Sequence, residues 1–289
     1  MKTNRRNFLK TTTGAAIALP NIIASHAWAN KPSNTIGIGF VGVGKQSGGH
    51  LGFFLGQKDC RVVSLAEVAK VRLEHHHKRV AQRYGADHGC KATQDFRETI
   101  ADSRVDAVVI GTPDHWHAIP SIMAAEAKKD VYCEKPLTHT IKEARELRNL
   151  SKTSKVVTQT GNQGSASSNL RRSMELIEAG VFGPIREIHV WHPKHNWPSG
   201  GVRPAGSDPV PKALNWDFWC GPAPIRPYKE GIYHPVKWRG WYDFGNGFIG
   251  DFCCHSFNLR LDPFTWIIQK RFHLPGKVLE RKLLPSHVQ

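Results

Sequence analysis

The stretch that decides the fold is IGIGFVGVGKQSGGHL, residues 36–51. An apolar run from Ile36 to Val41 bends through Gly42 and Gly44 into a predicted helix. A strand, a glycine turn and a helix in that order are the context that a dinucleotide-binding fingerprint needs. Gly42 permits the tight turn, and Gly44 lets backbone come close to a diphosphate. The helix start at Lys45 and Gln46 adds unpaired N–H groups and the positive end of a dipole. Ser47 stands where Gly or Ala is usual; as a small residue it should preserve helix–strand packing.

Working outward, a second strand, Arg61–Ala66, runs into Glu67, 25 residues after Gly42. A carboxylate there can accept from both ribose hydroxyls of NAD and repels the 2′-phosphate of NADP, or it is a solvated strand-end acid. A third apolar strand, Val105–Ile110, ends in Gly-Thr112-Pro113-Asp-His-Trp-His117. A short strand, Asp130–Cys133, ends in Glu134-Lys135-Pro136. Thr140-x-x-Glu143 reads as a capping box opening a helix whose Ile141, Ala144, Leu147 and Leu150 face the sheet. A last strand, Lys155–Thr160, leads into Gly-Asn162-Gln163-Gly. Strands alternating with helices predict a parallel sheet, an α/β Rossmann domain with ligands along the carboxyl ends of the strands.

The chain has 289 residues, 40% apolar content and a formal charge of +16, room for two modest domains. Four of the positive charges, Lys2, Arg5, Arg6 and Lys10, precede residue 30 with no acid among them, and four more of the excess lie after residue 259. No basic run interleaved with aromatics follows, which argues against nucleic acid as a partner. Asn4-Arg5-Arg6-Asn-Phe-Leu-Lys10, an apolar stretch and Ala27-Trp-Ala29 form a charged region, an apolar region and a cleavable small-x-small site. Residues 1–29 are thus expected to be a twin-arginine export signal, too short to span a bilayer stably and directing the protein to the periplasm. That route carries folded proteins, so cofactor can be loaded before export and cysteines buried while reduced. The six cysteines show no zinc-ligand spacing and read as small buried thiols; no metal is expected. His75-His76-His77 reads as a solvated helical face.

These motifs resemble the Gfo/Idh/MocA oxidoreductases, through the glycine turn, Glu67, Thr112-Pro113-Asp-His-Trp-His117, Glu134-Lys135-Pro136 and Gly250-Asp251-Phe-Cys-Cys-His255. The exported, twin-arginine members are the most similar, sharing Gln159-Thr-Gly-Asn-Gln-Gly164. The resemblance runs from residue 34 to 258. It implies a Rossmann NAD-binding domain at 34–155 and, at 156–258, part of an α+β substrate domain with an open, mostly antiparallel sheet. It implies NAD(P)-dependent hydride transfer at a sugar or polyol hydroxyl carbon, with homo-oligomers among relatives.

On that resemblance Lys135 contacts the reacting hydroxyl and the nicotinamide ribose, and Glu134 positions it. Desolvation beside a cationic ring would disfavour the ammonium form. Asp251 and His255, four apart, share a helix face; His255 is the candidate general acid/base and Asp251 its orienting partner, or the two form half of a metal site. Thr112, Pro113 and His117 line the nicotinamide pocket, with a core histidine the other reading of His117. Asn162 and Gln163 can touch cofactor or substrate. Tyr233, Trp238 and Arg239 suit a sugar, by ring stacking and hydrogen bonds, and suit core or an interface equally. Residues 259–289 lack the family pattern, which reads as a truncation or frame change leaving the sheet incomplete and working against assembly. Two further readings stay open: a glycosidase that uses tightly bound NAD in a closed redox cycle, and an inactive NAD-binding remnant.

Overall fold

The computed structural model describes residues 35–184, 186, 187, 189, 201–256, 271–274 and 277–280. The expected export signal and most of the tail lie outside these. Six parallel strands form one sheet: β1 (Ile36–Val41), β2 (Cys60–Ala66), β3 (Lys91–Thr93), β4 (Ala107–Ile110), β5 (Asp130–Glu134) and β6 (Thr158–Gly161), in spatial order β3-β2-β1-β4-β5-β6. This is the doubly wound dinucleotide-binding order, whose direction reverses between β1 and β4.

The alternation of apolar residues along each strand builds a core on each face. Ile38, Phe40, Val62 and Val109 pack on one side with Leu51 and Leu55 of helix α1 (Lys45–Gly56) and Leu73 and Val80 of α2 (Lys70–Tyr84). Val41, Val63, Val108 and Ile110 point to the other, against Phe96 and Ile100 of α3 (Phe96–Ala101) and Ala124 and Ala125 of α4 (Ala118–Glu126). Helix α5 (Ile141–Ser154) opens with the predicted capping box: Thr140 Oγ1 accepts from Glu143 N–H at 3.2 Å, and Glu143 accepts from Thr140 N–H at 2.7 Å. Its expected apolar face is only partly realised. Leu147 is buried but Ile141 is exposed, because a three-residue spacing falls 60° short of a turn at each step.

The expected domain boundary at residue 155 is corrected to 161, because β6 pairs in parallel with β5, Glu134 opposite Gly161. Residues 201–251 belong with that first unit; the remaining described residues form a second. A third apolar cluster in the first unit joins Ala69 to Leu214, Trp216, Trp219, Tyr228, Tyr233, Trp238 and Phe244. Helix α7 (Trp216–Cys220), capped by Asn215 Oδ1 on Phe218 N–H, carries two of its indoles, stacked at 4.7 Å. In the second unit helix α6 (Ser168–Glu178) is capped by Ser167 and buries none of its residues, and β7 (Arg271–Leu274) pairs antiparallel with β8 (Lys277–Glu280). Further strands of the expected antiparallel sheet would lie outside the described residues. No helix among the described residues is long and apolar enough to cross a membrane.

Candidate active site

The turn after β1 is built as its glycines predict. Gly42 has φ +79°, and a Cβ there would lie 3.0 Å from Thr112. Among the described residues, a Cβ on Gly44 would meet only the tip of Arg72, at 3.6 Å, which leaves its backbone open to a ligand. Ser47 is fully buried against Gly111, so the close helix–strand approach is made by a glycine on the strand side. Glu67, 8% exposed, accepts from Val43 N–H and Ala69 N–H at 3.0 Å each, one on each oxygen. Burial pushes its carboxyl above the usual range, and the backbone donors oppose that.

Helix α2 contributes what the sequence reading missed. Arg72, His76 and Arg79 join Val43, Gly44, Lys45 and Gly48 around a cavity of about 310 Å³. Three cations and a helix N-terminus around open backbone suit a diphosphate. Lys45 thus lies on the expected site, while Gln46 is exposed on the first helical turn. The solvated reading of His75-His76-His77 is corrected at its centre. His76 shares the buried face with Leu73 and Val80, and burial beside Arg79 pushes its pKa down to about 4. His77 bonds Cys90 O, and Cys90 N–H donates to His88. These three residues bring ligand atoms within 4.8 Å of one another. Burial pushes the Cys90 thiol up to about 12, and Arg61 and Arg104 lie close by, so the cluster reads as a structural hydrogen-bond knot.

Thr112 and Pro113 follow β4. The Thr112 hydroxyl is buried and has no hydrogen-bond partner among the described residues, so the donors and acceptors at this edge are one short of complete among them. An open glycine backbone, a cationic cavity and an unpartnered hydroxyl on one strand edge fit a dinucleotide. His117, 1% exposed, is the core histidine of the two readings. Its Nδ1 bonds Pro136 O at 2.6 Å and Nε2 bonds Thr112 O at 2.9 Å, tying the two motif loops together. Carbonyls at both nitrogens favour an imidazolium. Burial lowers its pKa, but Cys133, Asp114 and the Pro136 carbonyl outweigh that and raise it.

At the end of β5, Glu134 is 4% exposed and its Oε1 lies 2.5 Å from His50 Nε2 on α1. Lys135 points to helix α8 (Gly247–Ser256). Its ammonium donates to the Asp251 backbone oxygen at 3.0 Å and bonds the Asp251 carboxylate. The ammonium thus meets a carboxylate where desolvation alone was expected. Asp251 is 4% exposed, with Arg239 Nε 3.3 Å from its other oxygen. Arg239, expected to meet substrate, therefore holds the partner of Lys135. Tyr233 and Trp238 are corrected to core, at 3% and 6% exposed. Tyr233 packs edge-on against Trp241 and Phe244, and Trp238 fills the space beside Gly245, since large rings gain most by leaving water.

In the second unit His255 Nδ1 bonds Asn162 Oδ1 at 2.9 Å, and Asn162 Nδ2 donates to Cys254 O at 2.6 Å. An acceptor at Nδ1 fixes the proton there and leaves the neutral ring's lone pair on Nε2. Gln163 is exposed in the short 3₁₀ turn Gln163–Ala166. Cys60, Cys90, Cys133 and Cys220 are buried thiols outside any disulfide.

Two family models match the chain. One, described as an oxidoreductase family with an NAD-binding Rossmann fold, covers residues 36–162, and the other, its C-terminal alpha/beta domain, covers 169–281. The second match runs past residue 258, where the resemblance was expected to stop. Among curated relatives, a myo-inositol 2-dehydrogenase of Thermotoga maritima is 27% identical over 179 residues, covering 62% of this chain and 47% of that protein. An inositol 2-dehydrogenase of Mycolicibacterium vanbaalenii is 31% identical over 159 residues, 54% of this chain and 44% of the relative. A glycosyl hydrolase family 109 protein of Shewanella pealeana is 26% identical over 211 residues, 64% and 45% of the two chains. The chain thus spans less than half the length of these relatives. A scyllo-inositol dehydrogenase from Lactobacillus casei, solved with NAD(H) and scyllo-inositol, superposes with a TM-score of 0.47 at 22% identity, over 52% of this chain and 42% of that one.

Proposed function

Because the chain belongs to the Gfo/Idh/MocA oxidoreductase family, with its NAD-binding Rossmann fold, we propose that it oxidises or reduces a hydroxyl-bearing carbon of a sugar or polyol. The observation that carries this reading is the Lys135–Asp251 pair at the carboxyl end of β5, beside Glu134. Bound NAD would supply the acceptor for the hydride that leaves the reacting carbon. Gly42, Gly44, Lys45 and Arg72 would hold the diphosphate, and Glu67 the ribose. The Lys135 ammonium, steered by Asp251, donates to the substrate oxygen and stabilises charge that grows there as the C–O bond order changes. On the family resemblance the hydroxyl proton would pass to a general base, the role expected of His255, and help of this kind contributes roughly 10²–10⁴-fold. The inositol dehydrogenases among the relatives support a cyclic polyol as substrate.

Denaturing the purified protein and assaying released dinucleotide tests the cofactor; NADH formation from NAD with myo-inositol or scyllo-inositol tests the chemistry. Lys135→Met should abolish turnover, by 10²-fold or more, while NADH still binds. Equal turnover in the variant would refute the assignment of Lys135. Similarity to a glycosyl hydrolase favours a second reading, hydrolysis of a glycoside with retained NAD. Cleavage of a chromogenic glycoside without added NAD would select it. Export through the twin-arginine route completes the reading: replacing Arg5 and Arg6 by Lys should keep the protein in the cytoplasm, as read by cell fractionation.

A further inference from the structure

The cofactor helix and the catalytic strand meet through the side chain of His50. His50 sits on α1, the helix that opens at the glycine turn, and its Nε2 lies 2.5 Å from Glu134 Oε1 at the end of β5. The other Glu134 oxygen faces the N–H of Lys135, at 3.4 Å. Three surroundings hold the carboxylate in place. The His50 ring packs edge-on against Tyr132 of the same strand, centroids 5.5 Å apart. Glu134 itself is 4% exposed. Gly161 of β6, paired opposite Glu134, leaves room that a Cβ would take, 2.8 Å from Glu134 Oε1.

We propose that His50 is a positioning residue: it holds Glu134, and through it the start of the Lys135 loop, in register with the nicotinamide half of the bound dinucleotide. The chemistry favours this over a packing role. A carboxylate this buried needs a donor, and a hydrogen bond to a charged acceptor is stronger and shorter than a neutral one. The donor comes from a helix of the first half of the sheet, while the acceptor stands in the second half. In a sheet of this order the β1–β3 half takes the adenosine end of the ligand and the β4–β6 half the nicotinamide end. His50 therefore sets the spacing between the two half-sites without touching the reacting carbon.

The inference rests on the NAD reading above, and the experiment separates the two. Binding of NADH and of ADP-ribose, which lacks the nicotinamide, is measured by calorimetry on the full chain. His50→Ala should weaken NADH about 10-fold and leave ADP-ribose unchanged, as expected for one lost hydrogen bond to a charged group. His50→Gln, whose side-chain amide can still donate, should restore NADH binding to within about 3-fold. His50→Ala added to Glu134→Ala should cost nothing further, since both remove the same contact. Wild-type affinity for NADH in His50→Ala would overturn the proposal. So would equal loss of both ligands, which would make His50 a support of α1 alone. Failure of the wild-type chain to bind either ligand would overturn the cofactor reading itself, and this inference with it.

Discussion

Gly111 has no room for a methyl group, because a Cβ there would lie 1.6 Å from the Ser47 hydroxyl oxygen. Gly111→Ala should therefore cost about 1–3 kcal/mol in urea unfolding, as overpacking does, and Ser47→Gly in the same chain should recover most of it. Ser47 was legible as a departure from the glycine pattern, but not its answer: the space given up at 47 is found at 111, a strand away. His76 carries a prediction with pH. Its Nδ1 accepts from Arg79 Nη1 at 3.1 Å, so a proton there breaks the bond, and its pKa falls to about 4 in the folded chain. The unfolded chain takes up that proton first, near the ordinary value of 6.5. The stability His76 contributes is thus fully present above that value and is lost as pH falls toward 4, by about 3 kcal/mol. Unfolding free energies measured from pH 7 to 4 should fall, and less steeply in His76→Gln.

At the scale of elements, the capping box was legible because Thr140 and Glu143 sit at the spacing the geometry demands. Thr140→Ala should cost about 1 kcal/mol of stability, read as a shift in the denaturation midpoint. The exposed Ile141 was not legible, because three-residue spacing imitates a helical face for a turn and then drifts off it. Strand β3 has three residues, Lys91–Thr93, too few for an alternation to emerge, and is held by pairing with Ser64–Ala66. In α2 the apolar period was present at Leu73 and Val80, but three adjacent histidines hid that one of them shares the buried face. The glycine turn, Glu67 and Lys135 were legible because their chemistry is local to strand ends. The Arg239–Asp251 contact was not, since nothing in a linear pattern ties a guanidinium in an aromatic loop to a helix twelve residues on.

For the whole molecule, the parallel sheet followed from strands alternating with helices, whereas the return of residues 201–251 to the first unit did not. That return is made by contacts such as Trp116 Nε1–H to Phe218 O at 2.9 Å, His115 to Phe244 O and Trp219 O, and Asn246 N–H to Asp114. A chain ended at residue 161 should therefore melt lower than one ended at 256 and bind an apolar-sensing dye through its uncovered Trp116 face. The contact between Lys135 and Asp251 spans 116 residues. Ribosomes add roughly 5–20 residues each second, so the lysine emerges many seconds before its carboxylate exists. During that interval the nascent protein already owns the glycine turn while Lys135 has no Asp251 to meet. On the proposed function, nucleotide capture and chemical competence would thereby be separated in time, and a chain released between the two would hold a nucleotide without turning it over.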